Sequence, residues 1–73
     1  MKQVFEATMR AASPAEARAV WREFAEARAA YWKLAEEVAT RTGLVSEAAH
    51  CALRHWEFRE LLDLIDALEK AAA

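Results

Sequence analysis

An all-α fold is predicted by three features of the 73-residue sequence. It holds one glycine (Gly43) and one proline (Pro14), too little turn chemistry for a sheet protein. It holds 19 alanines, the residue best suited to helices. Its apolar residues recur at intervals of three and four over two long stretches, the signature of amphipathic helices. The expected architecture is a short N-terminal helix over about residues 2–12, followed by a long antiparallel hairpin of helices over about 14–42 and 46–70. These form a single domain.

The first segment places Phe5, Met9 and Ala12 at i, i+4 and i+7, and sets Glu6 four residues before Arg10 as a favourable pair. A helix this short is marginal alone and must dock on a neighbour.

The second segment opens on Ser13-Pro14-Ala15-Glu16. Ser13 is placed to cap the helix, Pro14 to occupy its first turn, and Glu16 to reach back and complete a capping box. No breaker follows until Gly43, which supplies the left-handed residue at the C-terminus, with Arg41 favourable in the last turn. The helix is roughly 43 Å long. Its apolar stripe is Ala17, Val20, Trp21, Phe24, Ala27, Tyr31, Leu34, Ala35 and Val38, with Trp32 at the flank.

The third segment is expected to start at Ser46 as N-cap and to fray over its last three alanines. It carries two stripes. Cys51, Phe58, Leu61, Leu62, Ile65 and Leu68 form one. Ala49, Leu53, Trp56 and Leu64 form the other, turned away by about 90–150°.

The short turn makes segments two and three antiparallel neighbours. The expected seam sets Val20, Phe24, Tyr31, Leu34 and Val38 against Phe58, Leu61, Leu62, Ile65 and Leu68. Val38 is expected near Cys51, and Trp21 near Ile65 or Leu68.

Bulk properties bound the function. A chain this short supports only a marginal core, so such chains add disulfides, a metal or another subunit. A lone cysteine, Cys51, makes no internal disulfide and suits a reducing compartment. The first twelve residues carry Lys2, Glu6 and Arg10 and no long apolar run, so no leader is expected, and no stretch approaches the length of a membrane span. A cytoplasmic location follows as the expectation, with no membrane partner. The net charge of −2 exerts no general pull on nucleic acid. Residues 1–42 hold seven Lys and Arg against six Glu, net +1, while residues 43–73 hold three basic groups against six acidic ones, net −3.

Three chemical motifs were weighed. Val38-Ala39-x-x-x-Gly43-Leu44 followed by Ala49, Ala52 and Leu53 resembles the helix-turn-helix of bacterial repressors over about 20 residues. That resemblance implies a DNA-binding regulator turning at Gly43, with Arg54, His55 and Arg59 on phosphates. The would-be recognition helix opens Ser46, Glu47, Ala48, without the Arg, Lys, Asn or Gln that read bases. Glu47, Cys51 and His55 share one helix face at i, i+4 and i+8, as a metal or thiolate site would, but one helix cannot surround a tetrahedral ion. No metal or other cofactor is expected. Glu60, Asp63, Asp66 and Glu69 suggest paired carboxylates, yet Arg59–Asp63 and Asp66–Lys70 account for them as surface pairs. No enzymatic role is expected.

The aromatic residues point elsewhere. Trp21, Phe24, Tyr31 and Phe58 are assigned to the core. Trp32 and Trp56 fall outside their helices' main stripes and, with Leu53 and Leu64, form the candidate interface. The expected function is a non-enzymatic protein–protein interaction module: a homodimer closing into a four-helix bundle, acting as an adaptor or inhibitor of a protein partner, of the kind carried by a phage or plasmid.

Overall fold

The computed structural model describes residues 2–73 as three helices: α1 (Lys2–Arg10), α2 (Pro14–Arg41) and α3 (Val45–Ala72). The expected all-helical order holds, with no strand among the described residues. α1 stops at Arg10, two residues short of its expected end. α3 runs through Ala72, so Ala71 and Ala72 are helical where fraying was expected.

Local chemistry sets the ends of α2. Ser13 is extended (φ −153°, ψ 161°), and its Oγ accepts from the Glu16 N–H at 3.2 Å. Glu16 Oε2 in turn accepts from the Ala12 N–H at 2.8 Å, so the box closes one residue further out than its usual form. Ser13→Ala is expected to cost about 1 kcal/mol. Thermal melting checks this, and an unchanged midpoint would show that the cap contributes nothing.

At the other end Gly43 has φ 76°. The Leu44 N–H donates to the Ala39 carbonyl (2.9 Å) and the Gly43 N–H to that of Thr40 (3.2 Å), the two bonds of a Schellman motif. This geometry corrects the expected start of α3. Leu44, already fixed by its bond to Ala39, becomes the N-cap residue, and its carbonyl accepts from the Ala48 N–H (2.9 Å). Ser46 therefore lies inside the first turn, and no side chain caps α3.

α2 and α3 run antiparallel along their whole length. From the open end to the turn, Arg22 meets Asp66 and Glu69, Phe24 meets Phe58 edge-on at 5.9 Å, and Trp32 meets His50 at 5.7 Å. Val38 and Cys51 line the same groove near the turn.

The seam is not the expected one. The buried residues are Ala25, Ala29 and Ala39 of α2 with Cys51, Leu62 and Ile65 of α3. Phe58 and Leu61 pack at its edge. Tyr31 (55% exposed), Leu34 (59%), Val38 and Leu68 lie outside it. Tyr31 is thus not a core residue. The reason is that α2 serves neighbours on two sides. Its alanine stripe meets α3, while Val20, Phe24 and Ala27 of its large-residue stripe receive Val4 and Ala7 of α1. With the alanine stripe on α3, part of the large stripe is free to receive α1. Methyl side chains let α2 and α3 approach closely, and the bulkier residues move to the flanks.

α1 also uses a different face from the one expected. Val4 and Ala7 dock, while Phe5 and Met9 remain exposed. α1 touches α2 and not α3. The helices therefore form a flat array with α2 in the middle, 46 × 25 × 13 Å across its backbone, rather than a closed bundle. Its radius of gyration is 14.6 Å, whereas a compact domain of this length has about 11 Å.

Candidate interaction surfaces

Besides Phe5 and Met9 of α1, the hairpin leaves two apolar surfaces open. The first is the outer face of α3. Leu53, Trp56 and Leu64 fall within about 80° of one another at 100° per residue, on the side roughly opposite Cys51, Leu62 and Ile65. All three are exposed, Trp56 by 58%. Glu60 interrupts the stripe between Trp56 and Leu64.

Trp32 does not belong with these three. It is half-buried, stacked edge-on against Tyr31 (4.9 Å) and against His50 of α3. The candidate interface residues thus divide, with three on the outer face of α3 and Trp32 covering the hairpin's own joint.

The second surface is a groove of about 390 Å³ at the turn end, between α2 and the first turns of α3. Tyr31, Leu34 and Val38 form one wall, and Leu44 and Cys51 the other. Glu47 is its only charged residue. The Thr42 hydroxyl at its edge is already bonded to the Val38 and Ala39 carbonyls. Sequence reasoning identified Tyr31, Leu34 and Val38 as an apolar row but spent them on the seam, and so missed the groove. The signal was present in the alanines: Ala25, Ala29 and Ala39 form a competing stripe of small residues.

The chemical candidates are separated or otherwise engaged. Cys51 is buried and shares the groove with Glu47, while His55 lines a different cleft with Lys33 and Arg59. Among the described residues no three His, Cys, Asp or Glu side chains converge as a metal site requires. Asp66 and Glu69 clasp Arg22 across the hairpin, so Asp66 turns to α2 rather than to Lys70. Hydrogen bonds to Asp66 and then Glu69 hold the Arg22 guanidinium above its ordinary pKa. Arg28 lies over the Phe24 ring at 5.6 Å. Arg54, a candidate phosphate contact, pairs with Glu57 at 2.8 Å. α2 and α3 also run antiparallel, whereas the helices of a helix-turn-helix cross at about 90–120°. Among the described residues no helix is long and apolar enough to cross a membrane.

No known family model, curated protein or solved structure matches the chain.

Proposed function

We propose that this chain is a non-catalytic, self-associating helical module of the cytoplasm that presents the outer face of α3 to a protein partner, as an adaptor or inhibitor. The observation that carries the reading is the surface left open. The chain exposes 5415 Å², whereas a compact monomer of 8.2 kDa exposes about 4,500 Å². Domains are stable as two packed layers around a core, and the flat array supplies one. A second copy would add the missing layer and close a four-helix bundle.

Light scattering at low micromolar concentration tests self-association. A mass of at least two chains is expected, and a monomer at every concentration would overturn the reading. The outer stripe is tested separately. Trp56→Ala is expected to leave helix content intact and to change stability by no more than about 0.5 kcal/mol, as for an exposed site. Affinity purification from the native host, run in parallel with wild-type and Trp56→Ala baits, should retain the partner only on the wild type. Equal loss of folding in the variant would place Trp56 in the core and remove the stripe from the reading.

A further inference from the structure

We propose that the groove formed by Tyr31, Leu34, Val38, Leu44 and Cys51 is the homodimer face, filled by the same region of a second copy across a two-fold axis, α2 packing antiparallel on α2. This rests on the self-association proposed above and names the surface that performs it.

The first argument is length. Val20, Phe24, Ala27, Tyr31, Leu34 and Val38 alternate at four and three residues, the spacing that accepts another helix along its length. From Val20 to Val38 the row is about 27 Å long. α1 has nine residues, about 13 Å of helix, and lies beside only the Val20, Phe24 and Ala27 part of the row. α3 already occupies the alanine side of α2. No described helix of the chain remains for the second half of the row, where Tyr31, Leu34 and Val38 stand open.

The second argument is area. The exposed surface exceeds that of a compact monomer of this mass by about 900 Å², and a standard interface removes about 800 Å² from each partner. The excess over the whole chain is of the size that one second copy would remove.

The third argument is chemistry. The groove is apolar, with Glu47 alone carrying charge at its rim, so it holds nothing to select an acidic or a basic peptide. An apolar row is complementary to its own copy under two-fold symmetry, since residue i meets j and j meets i. The α3 stripe lies on the outer face of one helix and is broken by Glu60. It suits a pocket on a different protein, and two copies of it would bring Glu60 toward its own image.

Sedimentation equilibrium on the wild type, Leu34→Glu and Leu53→Glu, with far-UV circular dichroism on each, tests the assignment. The wild type should be a dimer. Leu34→Glu should weaken the dimer by about a hundredfold or more while keeping its helix signal, because Leu34 is exposed in the single chain. Leu53→Glu should remain dimeric. Isotope-filtered NOE spectra of mixed labelled and unlabelled wild type supply a readout that needs no variant, and are expected to connect the Tyr31 ring with Leu34 and Val38 methyls of the other copy. If Leu34→Glu unfolds, these spectra decide. A Leu34→Glu dimer of wild-type strength, or cross-copy contacts confined to Leu53, Trp56 and Leu64, would overturn the groove assignment and leave self-association standing. A monomeric wild type would remove both.

Discussion

Ala25→Leu is expected to destabilise the chain by about 1–3 kcal/mol, lowering the melting point by roughly 5–20 °C for a domain of this size. Ala25 is fully buried and lies with Ala29 against Leu62 in the seam between α2 and α3. Leucine is nearly as good a helix former as alanine, so a change at this site reads packing rather than propensity. The added branched side chain must either leave its preferred rotamer or force the helices apart, pulling Phe24 from Phe58. Ala19→Leu is the control, since Ala19 is exposed on the same helix. It should shift stability by less than about 0.5 kcal/mol. Equal melting points for the two variants would show that the seam is not closely packed.

Leu62→Ala attacks the same contact from the other side. Leu62 is 5% exposed and is the large residue of the Ala25–Ala29–Leu62 cluster. Truncating a buried leucine costs about 2–5 kcal/mol through lost transfer energy and the cavity left behind. A core this small supplies about 3–5 kcal/mol in total, so the variant should lose much of its helix signal in dilute solution at room temperature. Self-association would return part of that stability by mass action, raising the midpoint as protein concentration increases. A loss below about 1 kcal/mol, read by denaturant titration, would place the centre of the fold elsewhere.

These two sites also mark where the sequence stopped being legible. The ends of α2 were readable because capping is local: Ser13, Glu16 and Gly43 act within a few residues of themselves. The hairpin followed from the short turn. The seam depended on a choice between two stripes of α2 that both satisfy helical periodicity. Burial area favours the row with Phe24, Tyr31 and Leu34, whereas close approach of the backbones favours Ala25, Ala29 and Ala39. The choice between them is made by tertiary packing and has no local signature.

The α1 face failed for a related reason. In nine residues, Phe5 with Met9 and Val4 with Ala7 are equally regular, and only the surface they meet separates them. The start of α3 at Val45 was missed because the Schellman bond to Leu44 outranks the capping preference of Ser46. The exposure of Leu53, Trp56 and Leu64 was legible from their angle relative to the Cys51–Ile65 stripe. The placement of Trp32 against His50 was not, because it is set by the register between the helices.

α1 buries none of its residues and leans on α2 alone. A helix of nine residues holds little stability of its own, so it is expected to lift away in a low-energy local excursion while the hairpin stays shut. Hydrogen exchange should then find the amides of Lys2–Arg10 exchanging ahead of those in α2 and α3. At each such moment Val20 and Phe24 join Ala27, Tyr31, Leu34 and Val38 as one uninterrupted ridge, and the first helix acts as a removable cover over its first turns.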